Sequence, residues 1–140
     1  MLTGEFRPTL DPKNRIFVPS KLREELGETF MIVRDTRVKC LKMYSLEGWA
    51  EFIRPIKEKR GEKSEMILRT LHSTAAQVTP DSQGRVLIPN KLIEFAGLEK
   101  TIVVIGCYDY AEIWSENGYD SMVASQDDDA LRDAMEELGL

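Results

Sequence analysis

The feature that most constrains this chain is a sentence written twice. DPKNRIFVPSKL at residues 11–22 returns as DSQGRVLIPNKL at residues 81–92. Between 11–35 and 81–105, nine of 25 positions are identical at an offset of 70, among them Asp11/Asp81, Arg15/Arg85, Pro19/Pro89, Lys21/Lys91 and Gly27/Gly97. Other positions swap like for like, and YSLEGW at 44–49 faces WSENGY at 114–119. Self-similarity of this kind is read before any local pattern. It gives a tandem duplication, 1–53 and 73–122, with no gap in register. A unit of about fifty residues buries only a marginal core. The two copies are therefore expected to interlock, each lending strands to the other, in one pseudo-two-fold barrel-like core that is mainly β with short helices.

One repeat reads as follows. RIFVP and RVLIP are short β-branched or aliphatic runs stopped by Pro, and they read as strands. Ser20 or Asn90 is then an N-cap candidate for a two-turn helix that Gly27 or Gly97 ends. TFMIVRD and TIVVIG are the next strands, KCLKMY and YAEIW the ones after, and Ser45 and Ser115 can cap a closing helix. Residues 54–72 read as a charged connector carrying Pro55 and Gly61, followed by a short helix that Ser64 can cap. Pro8 lacks a backbone donor, so the strand that holds it reads as an edge or a bulge.

Charge divides the chain. Its net charge is −5, but residues 1–45 are net +3, residues 46–100 net +1 and residues 101–140 net −9. A basic body with an acidic tail is the pattern of a protein whose working face is not its average surface. In the tail, 123–140, Asp127 to Asp129 suit a helix N-terminus, and Ala130, Leu131, Ala134, Met135 and Leu138 form an apolar stripe at helical spacing.

The turns TLDPKNRI and TPDSQGRV carry the chemistry. Asp opens a type I turn, its carboxylate accepting backbone N–H groups two residues on. The fourth position needs a left-handed backbone, which Asn14 and Gly84 tolerate best. Turn geometry therefore accounts for Asp11, Asp81, Asn14 and Gly84 as bracing residues. It does not account for Arg15, Arg85, Lys13 or Gln83. A hairpin end carrying Arg, Lys and amide groups suits a phosphate backbone and base edges, and the Asp would fix the direction of the Arg fork. Arg7, on the preceding strand, is a further candidate contact.

On these residues the chain resembles the MraZ family of bacterial transcriptional regulators. Asp11-Pro-Lys-Asn-Arg15 and Asp81-Ser-Gln-Gly-Arg85, each followed by aliphatic-Pro-x-Lys-Leu, match its repeated Asp-x-x-x-Arg signature. The resemblance covers nearly the whole chain. It implies two AbrB-like swapped-hairpin halves closed into one barrel, ring-shaped homo-oligomers, and binding to promoter direct repeats upstream of the division and cell-wall gene cluster. Double-stranded DNA and further copies of the chain are the expected partners. GCYDYAEIW holds more aromatic residues than the family pattern leads one to expect.

Other functions find little support. The one histidine, His72, has no partner at ligand or catalytic spacing, and no phosphate-cradling Gly loop is present. No enzyme activity, metal, cofactor or small-molecule substrate is expected. Cys40 and Cys107 are too far apart for a zinc motif and read as reduced, buried thiols. No apolar run is long enough to span a bilayer and the N-terminus has no signal-like core, so a cytoplasmic protein is expected, and the DNA binding that the resemblance implies would associate it with the nucleoid. The alternative reading is an AbrB-like protein-binding module of the antitoxin type, acting through the acidic C-terminal helix.

Overall fold

The computed structural model describes residues 1–140. The chain runs β1 (Glu5–Phe6), β2 (Arg15–Phe17), α1 (Ser20–Leu26), β3 (Phe30–Arg34), β4 (Leu41–Ser45), α2 (Leu46–Lys59) and α3 (Glu62–Thr74), then β5 (Ala76–Val78), β6 (Arg85–Leu87), α4 (Asn90–Ala96), β7 (Ile102–Gly106), β8 (Ala111–Ser115), α5 (Glu116–Ser125) and α6 (Asp128–Glu137). One six-stranded antiparallel sheet has the order β1-β7-β8-β4-β3-β5, and β2 pairs with β6 in a separate two-stranded ribbon. The order is a palindrome about the β8–β4 pair. The first strand of each repeat pairs with a strand of the other: β1 on β7 and β5 on β3. The expected exchange of strands is thus present.

The closed barrel is not. β1 and β5 lie at opposite edges of an open sheet, and the ribbon touches neither edge through a ladder. The prolines explain why the ribbon stops. Pro19 and Pro89 follow β2 and β6 almost at once, and a residue without an N–H cannot extend a ladder. The edge position expected of the Pro8 strand holds, since β1 pairs only with β7.

The ribbon closes over one face of the sheet. Ile16, Val18, Val86 and Ile88 pack with Leu22 and Leu26 of α1, Leu92 of α4, and Phe30, Ile32, Met43, Val104 and Ile113 of the sheet. All of these are at most 2% exposed, so this is the main core. On the other face, Met31, Val33 and Tyr44 are covered by Trp49 and Ile53 of α2 and Leu71 of α3. Val103 and Trp114 are covered more thinly, by Tyr119 and Met122 of α5.

Three expectations need correction. First, the repeat is not gapless. Ile32 faces Met43, and Val104 faces Ile113, so β7 follows β3 at an offset of 72 while β8 follows β4 at 70. The β7–β8 loop, 107–110, is two residues shorter than its counterpart at 35–40 and absorbs the shift. An even shift keeps every side chain on its face, which is why the sequence tolerates it. Second, residues 54–72 are mostly helix. α2 continues through Pro55 because Trp49, Ile53 and Ile56 keep their spacing against the sheet and α3. Third, the expected helix caps differ. Ser20 and Asn90 begin their helices without capping them, and Ser64 lies inside α3, donating its hydroxyl to the Ile56 carbonyl. The caps expected at Ser45, Ser115 and Asp127 do form, on the amides of Gly48, Gly118 and Ala130. The tail forms the helix that its pattern predicts, and α6 buries no residue in the single chain and leaves Leu131, Met135 and Leu138 exposed.

No helix is long and apolar enough to cross a membrane. His72 is satisfied in place: Trp49 Nε1 donates to its Nε2 at 3.1 Å, and its Nδ1 lies 2.9 Å from the Leu68 carbonyl.

Candidate nucleic-acid interface

Both turns have the backbone their residues dictate. The Asn14 amide donates to the Asp11 carbonyl and the Gly84 amide to the Asp81 carbonyl, each at 2.9 Å. Asn14 and Gly84 then adopt φ of 61° and 78°, the left-handed conformation that ends such a turn. The Asp11 carboxylate accepts the Lys13 and Arg15 amides with one oxygen, both at 2.9 Å, and the Arg15 Nε–H with the other at 2.8 Å. Asp81 repeats this with the Gln83 and Arg85 amides at 2.9 Å and Arg85 Nε at 3.1 Å.

Electrostatics follow from these bonds. Burial opposes ionisation of Asp11, but the Arg15 and Lys13 amides and the Arg15 guanidinium outweigh it and hold its carboxyl below the usual aspartate range. Asp81 is also held low, chiefly by the Arg85 amide. Each carboxylate uses only the Nε–H of its arginine. The four N–H donors on the terminal nitrogens stay free and keep a fixed direction.

The ribbon brings the two arginines onto one surface. Its register sets Arg15 opposite Leu87 and Phe17 opposite Arg85. Ile16 and Val86 point into the core, so alternation turns Arg15, Phe17, Arg85 and Leu87 outward together. The arginines are diagonal neighbours, about 7–8 Å apart by strand geometry. Phe17 and Leu87 are 45% and 58% exposed, large apolar side chains held out between two cations.

The turns differ in their company. Asn14 Nδ2 donates to Asn90 Oδ1 at 2.8 Å, joining the first turn to the start of α4. At the second turn Gly84 is buried, and a Cβ there would stand 3.1 Å from the Arg23 guanidinium. Arg23 is anchored by its Nε–H on the Val18 carbonyl at 2.8 Å. No sequence signal marks Arg23, which looks like an ordinary helix-surface residue. It supplies beside the second turn the cation that Lys13 supplies within the first, where the second repeat has Gln83. Arg7 is not brought to this surface. It lies beside Glu5 and Glu116, at 3.2 and 3.5 Å, under the ring of Tyr119.

A family model described as "MraZ protein, putative antitoxin-like" matches this chain twice, over residues 1–70 and 71–138. The chain belongs to the MraZ family. Full-length similarity agrees with that assignment. A protein of Caldicellulosiruptor bescii curated as "Transcriptional regulator MraZ" is 38% identical, with all of both chains aligned. Proteins of the same description from Lachnoclostridium phytofermentans and Clostridium acetobutylicum are 39% and 38% identical, again covering 100% of this chain and 99% and 100% of theirs. The two MraZ matches meet between residues 70 and 71, near the end of α3. Each MraZ unit therefore contains one Asp-x-x-x-Arg turn, but the ribbon surface exists only when both units are present.

Proposed function

We propose that this MraZ-family protein is a transcriptional regulator, not an enzyme, and that it binds specific double-stranded DNA through the outer face of the β2–β6 ribbon. The observation that carries this reading is the register that places Arg15 and Arg85 on one exposed face, each fork held from behind by an aspartate. A two-stranded ribbon fits the major groove, where a guanidinium fork can take both acceptors of a guanine edge. Phe17 and Leu87 offer apolar contact to thymine methyl groups. Lys13, Gln83 and Arg23 meet the phosphates alongside. Asp11, Asp81, Asn14 and Gly84 set the geometry. Arg7, already neutralised by two carboxylates, contributes least.

One ribbon makes few phosphate contacts. In the proposed assembly, a ring of copies lays several ribbons on promoter direct repeats upstream of the division and cell-wall gene cluster. Avidity then comes from effective concentration, with contacts spaced near one helical turn, about 10 bp. The setting is the cytoplasm, at the nucleoid. Gel retardation on the DNA upstream of its own gene tests the reading. Wild type should give a shift that competitor DNA of random sequence does not remove, and Arg15→Ala should lose it while keeping its oligomeric state. Equal retardation by both proteins would sink the assignment.

The family description and the uncovered stripe on α6 favour a second reading, an antitoxin-type module that holds a basic partner protein. A basic protein that copurifies with the full chain, and is lost when Leu131 and Met135 become Ser, would support it.

A further inference from the structure

The β3–β4 loop and its counterpart between β7 and β8 occupy pseudo-symmetric places, yet they carry opposite charge. The first holds Arg37 and Lys39 and follows Arg34, the last residue of β3, and none of the three has a carboxylate within ion-pairing distance. The carboxylate in that loop, Asp35, is committed elsewhere: it accepts the Arg37 and Val38 amides and pairs with Lys42 at 3.0 Å. Arg34 and Lys39 both stand over the ring of Phe95, at 4.1 and 4.6 Å from its centroid. Two cations on one aromatic ring are held in place without losing charge. The second loop has no cation and carries Asp109. The residue that takes the place of Phe95 in the first repeat is Glu25, paired with the terminal ammonium of Met1.

Phe95 lies on α4, the helix whose first residue, Asn90, is bonded to Asn14 of the first turn. α4 therefore leads from the first turn to the unneutralised loop over a rise of about 8 Å for five residues. That length matches two to three phosphates along one DNA strand at about 3.4 Å each.

We propose that the β3–β4 loop is a second DNA-phosphate site, through Arg37 and Lys39 with Arg34 behind them, and that it extends the footprint beyond the first turn only. The acidic counterpart would repel the backbone on the other flank. The two repeats thus read DNA alike through the ribbon but grip it unequally at the shoulders, giving each subunit one orientation on a direct repeat. This inference rests on the ribbon reading, and its test separates the two.

The test uses the full chain, a duplex covering the DNA upstream of its own gene, and the variant Arg37→Ala/Lys39→Ala, both at exposed positions. The slope of log affinity against log salt should fall by about 2 in magnitude, near one for each phosphate no longer neutralised. Hydroxyl-radical protection should shorten by two to three nucleotides on one flank, with the centre unchanged. Binding with the same slope and footprint as wild type overturns the inference and leaves the ribbon reading standing. An unchanged slope with a dissociated oligomer also overturns it, and assigns the loop to the acidic surface of a second copy. If wild type itself protects no DNA, both readings fall.

Discussion

The two Asp-x-x-x-Arg turns have nearly the same backbone and different surroundings. In each, one aspartate gathers two amides and one Nε–H, and a left-handed residue ends the turn. Around the first lie Lys13, Asn14 and Asn90. Around the second lie Gln83, Gly84 and Arg23. Duplication preserved what fixes the arginine fork. It relaxed the residues that only have to supply a cation nearby. The difference teaches that the motif is a device for aiming an arginine, and that each half needs the other to form the surface it aims across.

The strongest way to break the comparison is to separate the halves. A fragment of residues 1–74 lacks the strands β5, β6 and β8 that pair with β3, β2 and β4. It should show no cooperative thermal transition by circular dichroism, and mixing with 75–140 should restore one. A cooperative transition in 1–74 alone would refute the interlocked core. Next in size, Arg15→Ala and Arg85→Ala should each reduce specific DNA affinity by about 1–3 kcal/mol, the worth of one bidentate base contact. Fluorescence anisotropy checks this, and a loss confined to one of the two would mean that the repeats are unequal at the ribbon.

Smaller effects sharpen the turn comparison. Gly84→Ala puts a Cβ 3.0 Å from the Phe17 ring at a φ of 78°. It should destabilise the fold by about 1–2 kcal/mol in urea melts. Asn14→Gly keeps the backbone and loses only the Asn90 bond, about 1 kcal/mol or less. Acid should release the bracing at both turns. Asp11 and Asp81 titrate below their ordinary range of about 4 when folded, so their stabilisation is full above that range and is lost as pH falls through the lowered values. Amide shifts of Lys13, Arg15, Gln83 and Arg85 should therefore stay constant down to about pH 4 and move only below it. The smallest effect is at the thiols. Burial pushes Cys107 up to about 11 and Cys40 higher. Both should react slowly with a disulfide reagent at pH 7, Cys107 ahead of Cys40.

Much of this was legible in the sequence because it is local. The turn, the left-handed position, the caps at Ser45 and Ser115, and the strand–helix–strand order all follow from residues within a few positions of one another. The exchange of strands was legible because a half-sized repeat cannot make a core. What escaped depends on pairing at long range. Open sheet and closed barrel use the same strands, and only the ladder stop at Pro19 and Pro89 separates them. The shift to an offset of 72 was hidden because Ile32 and Val33 also match Ile102 and Val103 at 70. α2 runs through Pro55 on packing that no local pattern records. Arg23 reaches the second turn only because Gly84 has no side chain, a fact that lies 61 positions away in the chain.

The central claim is that the outward ribbon face meets DNA as a unit. The most direct measurement places a photoreactive benzophenone side chain at Phe17 in one protein and at Leu87 in another, both exposed and both on that face. Irradiation with the upstream duplex should crosslink both proteins to DNA, at neighbouring bases of the same site. Crosslinks from neither position, or crosslinks only to another protein chain, would contradict the account.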